Sequence, residues 1–272
     1  MERALRAAAL VDLPTDDSIE ETTISVLTEL RDREKAAGKG YPFSLSGDLL
    51  SLKPEWEKYP SYVFCLCLSY FGCKEKKGTK SFPRRWFEHL SRDAVQQYVG
   101  GGALRFGWPR VEHELPTKFD DAVIFVCNAL KEGGDFKPGG LSDRKDDAVD
   151  IVAWKHFPDQ LPGKLILFGN CATERDWEGS KRTELQPKEF CSDWMTEPPR
   201  SEIVRTLFIP HCIDRSRLLP NLGRAGIIFD RCRISYWTYF IGPVSTHERE
   251  GRPFAYSPIV EWSRKVLERA AA

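Results

Sequence analysis

Residues 145–176, KDDAVDIVAWKHFPDQLPGKLILFGNCATERD, predict two neighbouring strands that deliver polar side chains to one end of a sheet. The first strand, 148–157, places Asp150 among β-branched and aromatic residues, and the second, 164–172, stays largely apolar until Asn170. The six-residue connection, 158–163, holds two prolines and a glycine and is short enough for an antiparallel hairpin. We therefore expect an acid on one strand and an amide at the end of the next to meet at one edge of the sheet.

Helical periodicity surrounds this hairpin in the sequence. Amphipathic or apolar helices are predicted at 17–35, from 55 or 60 to 71, and at 83–99, 118–132, 187–195 and 258–269. A short strand or turn is predicted within 41–52, and further strands at 103–110, 205–211 and 225–230. This order predicts an α/β fold with a mixed central sheet flanked by helices and an N-terminal helical portion. The charge run at 74–80, KEKKGTK, divides an N-terminal helical region, 1–80, from an α/β domain, 81–272.

Composition limits the classes of partner and compartment. The 272 residues carry 40 Lys and Arg against 40 Asp and Glu, so a surface that attracts nucleic acid or anionic lipid would have to be local. The eight cysteines lie mostly inside apolar patterns, as reduced thiols do in cytosolic proteins, and the cluster of Cys65, Cys67 and Cys73 lacks the paired spacing of a zinc knuckle. The N-terminus is too short and too charged for a membrane span. We therefore expect a soluble cytoplasmic protein with no membrane partner.

Strand geometry narrows the candidate site. Side chains at i and i+2 share a face, so Asp150 points with Val152 and Trp154, and Lys155 points the other way. Asn170 shares a face with Ala172 on the second strand. If Asp150 and Asn170 meet across the hairpin, their oxygens suit Mg²⁺, or Mn²⁺, because these ions prefer hard oxygen ligands.

The pattern of helix acid, strand acid and strand-end amide resembles the PD-(D/E)XK nuclease superfamily over roughly residues 82–212. In that family a helix acid precedes a strand Asp, and a strand ending in Glu, Asp or Gln, any residue and Lys follows, then a helix and another strand. The resemblance implies that Glu88 in WFEHL is the helix acid, Asp150 in AVDIVAW the strand acid, and Asn170 the third metal ligand. It also implies a restriction-endonuclease-like fold and Mg²⁺ as the cofactor.

The chain departs from that pattern at the lysine. The expected position two residues after Asn170 holds Ala172, so the cationic role would fall to Lys155, Arg175 or Lys181. Arg175 stays protonated and could hold a phosphate rather than activate water. Either the lysine role has moved, or the fold has lost catalysis and serves as a nucleic-acid-binding or scaffolding subunit.

Other residues offer contacts to nucleic acid. The basic residues Lys77, Lys80 and Arg84 could meet a phosphate backbone, although such charge runs are more often solvated loops. In the aromatic run RISYWTYF, 233–240, rings could stack on bases while Arg231 and Arg233 grip phosphate, although a packed strand is the commoner outcome.

Structural roles remain open for several of these residues. Asp150 and Asn170 could instead make salt bridges and turn hydrogen bonds. Cys171 with His156 or His211 could form a nucleophilic pair, but a packed thiol is favoured.

The resemblance implies an activity and partners. We expect a Mg²⁺-dependent DNA endonuclease of bacterial restriction or antiviral defence, acting on DNA in preference to RNA, or else an inactive subunit with that fold. Residues 1–80 would then supply a helical module for partner contacts or sensing, and we expect a protein partner or a homo-oligomer.

Overall fold

The computed structural model of the protein describes residues 16–73, 82–110, 115–139, 147–179, 181–242 and 256–271. The α-helices of this part of the chain are α1 (Asp16–Ala37), α2 (Ser61–Phe71), α3 (Phe82–Val99), α4 (Phe119–Leu130), α5 (Lys181–Glu184), α6 (Pro187–Trp194), α7 (Arg215–Ala225), α8 (Arg231–Tyr239) and α9 (Ser257–Ala271). The strands are β1 (Phe43–Ser46), β2 (Leu49–Leu52), β3 (Gly102–Arg105), β4 (Gly133–Phe136), β5 (Ile151–Lys155), β6 (Leu165–Cys171), β7 (Met195–Glu197), β8 (Ile203–Phe208) and β9 (Ile227–Phe229).

A five-stranded mixed sheet with the order β3-β5-β6-β8-β9 forms the centre of the fold. Strand β5 runs antiparallel to both β3 and β6, which confirms the predicted β5–β6 hairpin, and β8 runs parallel to both β6 and β9. The predicted mixed α/β architecture with flanking helices is therefore confirmed. Two small sheets, β1-β2 and β4-β7, lie outside the central one.

Alternation along the central strands buries one set of side chains on each face of the sheet. Val152, Ile166 and Phe168 pack on one face with α4 and α6. Ile151 and Leu167 pack on the other face with α2, α3, α8 and α9. The period of two in the sequence therefore sets which helices cover which face.

The N-terminal helix α1 packs by its C-terminal half. Ile19 and Ile24 are about half exposed, whereas Ala37 is buried in a cluster with Tyr41, Tyr62 and Cys232. The expected boundary near residue 80 falls in 74–81, outside the described residues. The described helices include none with the length and apolar composition that a bilayer crossing requires.

The predicted strand in the aromatic run is wrong, because residues 231–239 form the helix α8. Asp230 is the N-cap, and its carboxylate accepts a hydrogen bond from the Arg233 amide. The cap and the burial of Cys232 in one hydrophobic cluster and of Ile234 in another outweigh the strand preference of the aromatic residues.

Candidate functional site at the end of the central sheet

Asp150 lies directly before β5 and is held in place by backbone hydrogen bonds. Its amide donates to the Gly169 carbonyl at 2.9 Å, and its carbonyl accepts from the Phe106 amide at 2.7 Å. The carboxylate Oδ2 accepts from the Cys171 amide at 2.7 Å. Because Ile151 pairs with Gly169, Asp150 stands opposite Asn170, as the strand alternation predicts.

The chain turns sharply just before Asp150. Asp147 and Ala148 both adopt positive φ angles of 47° and 63°, a conformation that non-glycine residues rarely accept. The indole Nε1 of Trp194 donates to Asp147 at 2.8 Å and ties this turn to α6. The positive φ angles of Asp147 and Ala148, which are energetically costly, are thus held in place immediately before Asp150.

Glu88 reaches the same place from α3. A Cβ built on Gly107 would lie 2.8 Å from Glu88 Oε2 and 2.9 Å from Asp150 Oδ1, so these two oxygens are no farther apart than those distances added together. Gly107 leaves the space between them because it has no side chain. Two carboxylates that the sequence separates by more than sixty residues therefore converge.

Buried Arg105 balances part of this negative charge. Its Nη2 forms an ion pair with Glu88 Oε2 at 2.6 Å, and its Nη1 donates to the Pro109 carbonyl at 3.0 Å. The sequence predicted a strand around Arg105 but gave no sign of this contact, because the partner lies on another element.

A cleft of about 740 Å³ opens onto the carboxylates. Its lining includes seven charged side chains: Arg84, Arg85, Glu88, Asp150, Glu174, Lys181 and Glu184. Arg84 is ion-paired with Glu174, and Lys181 with Glu184 at 2.7 Å. Those two pairs are partly exposed, whereas Glu88 and Asp150 stand at the base beside Arg105.

Asn170 lines the same cleft and is 4% exposed. Its side-chain amide nitrogen donates to the Lys181 carbonyl at 3.0 Å. That bond orients the Asn170 side chain and holds it next to the backbone of Lys181.

Two of the predicted cationic helpers lie elsewhere. Lys155 ends β5, about 16 Å along the strand from Asp150, and its Nζ is 3.4 Å from the Cβ position of Gly100 at the far end of α3. Arg175 donates to the Tyr70 carbonyl at the end of α2. Of the three candidates, Lys181 is the one that lines the cleft. Ala172 is fully buried, which leaves no room there for a reaching side chain.

The residues predicted to contact phosphate also differ in whether they line the cleft. Arg84 lines the cleft, whereas Lys77 and Lys80 lie outside the described residues. Arg231 is 6% exposed, donates to the Pro210 carbonyl and lies over the Tyr62 ring, so its expected role at a phosphate is wrong. Arg233 donates to the Ile228 carbonyl at 2.6 Å.

Cys171 borders the cleft as a protonated thiol. Burial raises its pKa well above the ordinary value, and the negative charges of Asp150 and Glu88 raise it further. His211 is bonded to the Glu174 carbonyl, and His156 to the Ala129 carbonyl. A packed thiol agrees with these surroundings better than a nucleophile, which needs the thiolate form.

The donor set at the base of the cleft suits a hard divalent cation. Asp150 and Glu88 offer carboxylate oxygens and Asn170 an amide oxygen, which are the ligand types Mg²⁺ accepts together with several waters. Comparison of the chain with models of known protein families, with curated proteins and with solved structures returns no match.

Proposed function

We propose that the chain is a Mg²⁺-dependent phosphodiesterase of the PD-(D/E)XK type that cleaves DNA, with a role in bacterial restriction or antiviral defence. The observation that carries this proposal is the approach of Glu88 and Asp150 to either side of Gly107 at the base of an open cleft. Two like charges held this close in a folded protein are costly, and the single charge of Arg105 offsets one of them and leaves the other for a bound cation.

The topology supports the same assignment. The helix α3 carries Glu88, Asp150 opens a strand of an antiparallel pair, Asn170 ends the next strand, and α6 then leads into β8, which runs parallel to β6. This order is the one that resemblance to the nuclease superfamily predicts.

Glu88, Asp150 and Asn170 would hold the metal. When bound, Mg²⁺ or Mn²⁺ supplies charge stabilisation at a phosphate and lowers the pKa of a coordinated water. Arg105 fixes the Glu88 carboxylate through a 2.6 Å ion pair and reduces the net negative charge at the base. The remaining charge repels phosphate, so DNA binding at this base depends on the cation.

Residues around the cleft suit a nucleic-acid ligand. Arg84 and Arg85 come from the first turn of α3, where cations can meet a phosphate backbone. The Trp108 ring lines the cleft, is 42% exposed and lies 5.4 Å from the Arg110 guanidinium, so an aromatic side chain and a cation stand together where a base could stack. Lys181, positioned beside Asn170, is our candidate for the cationic role that Ala172 cannot fill.

Plasmid cleavage with Mg²⁺ or Mn²⁺ tests the proposal. We expect wild-type protein to cut DNA and Asp150→Asn to lower the rate by at least about 100-fold, the scale of losing one electrostatic group at a reacting centre. Asp193→Asn is the matched control, because Asp193 is an exposed acid on α6. Equal cleavage by wild type and Asp150→Asn would reject the site.

Protection of cells against phage infection, measured for the same variants, tests the defence role.

A non-catalytic DNA-binding subunit of the same fold is the second candidate. Ala172 at the expected lysine position, with Lys155 and Arg175 outside the cleft, favours it. Mg²⁺-dependent DNA binding in a gel-shift assay without cleavage in either metal would support this role. Cleavage that Lys181→Met abolishes would instead support the enzyme with a relocated lysine.

A further inference from the structure

Cys212 and Cys232 bring their sulfur atoms together beyond the C-terminal ends of β8 and β9. The Sγ atoms are 3.6 Å apart. Cys212 lies in the loop after β8, and Cys232 lies in the first turn of α8, after the chain has passed through α7 and β9. The tertiary fold, and not local sequence, makes this pair.

Asp230 adds a third donor. One of its carboxylate oxygens and the two sulfur atoms all lie within 4.8 Å of one another. The Arg233 amide donates to Oδ1 at 3.0 Å, and the Ile213 amide donates to Oδ2 at 3.4 Å. These bonds fix the carboxylate, and each oxygen keeps a second lone pair.

We propose that Cys212, Cys232 and Asp230 form a binding site for a thiophilic divalent cation, with Zn²⁺ as the physiological candidate. Two sulfur ligands of a tetrahedral zinc ion are about 3.8 Å apart, given Zn–S bonds of about 2.3 Å. The observed 3.6 Å is close to that separation. The side chains therefore need only small shifts to accept the ion.

A cavity of about 230 Å³ beside the three donors gives the ion access and a place for a fourth ligand, such as water. Glu29, Asp32 and Arg33 of α1 line its other wall. Two thiolates and a carboxylate around a dication leave one net negative charge. Arg33 and Arg231 both lie close enough to act electrostatically on Cys212 and would offset it.

Zinc at this site would link two segments of the fold. This role does not depend on the proposed nuclease activity. The site joins the loop after β8 to the start of α8, and α1 and α2 both pack against α8. Its sulfur ligands select a softer ion than the oxygen donors at Asp150 and Glu88. Zinc here would thus fasten the surface on which the N-terminal helices rest.

Metal analysis of the purified full-length chain tests the proposal. We expect about one zinc per wild-type chain under reducing conditions, as structural Cys-containing zinc sites hold one ion. We also expect cobalt to give sulfur-to-metal charge-transfer absorption, and zinc to protect both thiols from alkylation. Cys212→Ser and Cys232→Ser should abolish the cobalt signal, Asp230→Asn should weaken it while keeping the helix cap, and Cys73→Ser should retain it.

Wild-type readouts keep the test independent of how well the variants fold. Failure of the reduced wild type to take up zinc or cobalt would overturn the proposal. A wild-type chain that binds no metal and is lighter by two hydrogens, with Cys212 joined to Cys232, would show that the pair forms a disulfide instead.

Discussion

Carboxylate sites lie near both ends of β6, and they differ in the charge of their immediate neighbours. Before the strand, the buried Glu132 carboxylate faces the Lys164 ammonium at 3.0 Å, the Ser201 hydroxyl at 2.8 Å and the amides of Arg200 and Ser201 at 3.1 Å. After the strand, Asp150 faces a second carboxylate, Glu88, across Gly107. The immediate neighbours of Glu132 are therefore all hydrogen-bond donors, whereas one cation, Arg105, serves the two carboxylates Glu88 and Asp150.

The first way to test this contrast is to remove the Glu132 charge. Glu132→Gln leaves the buried Lys164 ammonium without its anion, and loss of one partner of a buried pair costs about 3–5 kcal/mol. We expect that decrease in the free energy of unfolding, measured with urea at pH 7, with DNA cleavage per folded molecule unchanged.

The exposed pair Lys188–Glu202 provides the control for this change. Its two side chains are 75% and 80% exposed, so Glu202→Gln should cost less than about 1 kcal/mol. Equal losses in the two variants would show that Glu132 contributes no more than a surface charge.

Acid provides the second test. Burial by itself raises the pKa of the Glu132 carboxyl, but hydrogen bonds from Ser201 and Lys164 outweigh it and hold the pKa below its ordinary value. Glu132 therefore contributes stability that is complete above the unfolded-state value near 4.5 and is lost as pH falls through the lower folded-state pKa. Between pH 5 and pH 3, wild type should lose stability more steeply than Glu132→Gln, and parallel curves would contradict this assignment.

Filling the gap between the two candidate acids is the third test. In Gly107→Ala the new methyl would press on Glu88 and Asp150, so we expect a loss of about 1–3 kcal/mol, as for other overpacked sites. Under the proposed function Mg²⁺ raises the melting temperature of the wild type, and Gly107→Ala should reduce that rise because the oxygens are pushed apart. Gly223→Ala in α7 is the control, since its Cβ would meet nothing within 4 Å.

The smallest change in stability is expected for Asp150→Asn. Asparagine keeps the size of the side chain and an oxygen that can accept from the Cys171 amide, and it removes one of two neighbouring negative charges. We expect the free energy of unfolding to change by less than about 1 kcal/mol, within the range of substitutions that break no network. A loss as large as that of Glu132→Gln would make Asp150 a structural residue and end the contrast.

Local pattern was enough to predict the β5–β6 hairpin, because six turn-forming residues separate two apolar runs. We expected Asp150 and Asn170 to meet at one edge of the sheet, and the observed register places them opposite each other. Lys155 lies five residues after Asp150, so the period of two puts the two side chains on opposite faces of the strand. The prediction of Lys155 as a cationic helper gave this separation too little weight. The helix α8 could have been recognised from Asp230 as an N-cap.

Tertiary pairing explains what the sequence did not predict. Arg105 and Gly107 reach the acids only because β3 pairs with β5, more than forty residues later in the chain. Cys212 and Cys232 meet only after β8 and β9 have paired through the α7 crossover. The sequence shows closely spaced cysteines at 65–73. Close spacing in sequence gives no information about thiols such as those of Cys212 and Cys232, which a crossover connection brings together in the fold.

The central position of β6 has a consequence for dynamics. This strand is hydrogen-bonded along both edges, to β5 and β8, and the Asp150 amide is bonded to its Gly169 carbonyl. Opening such a strand requires disruption of most of the sheet, so its amides belong to the slowest-exchanging class in a folded domain. Asp150 is bonded to this strand, and Arg105 holds Glu88 through the 2.6 Å ion pair, so folding positions both carboxylates. Under the proposed function, a cation that enters the cleft would meet ligands that are already preorganised.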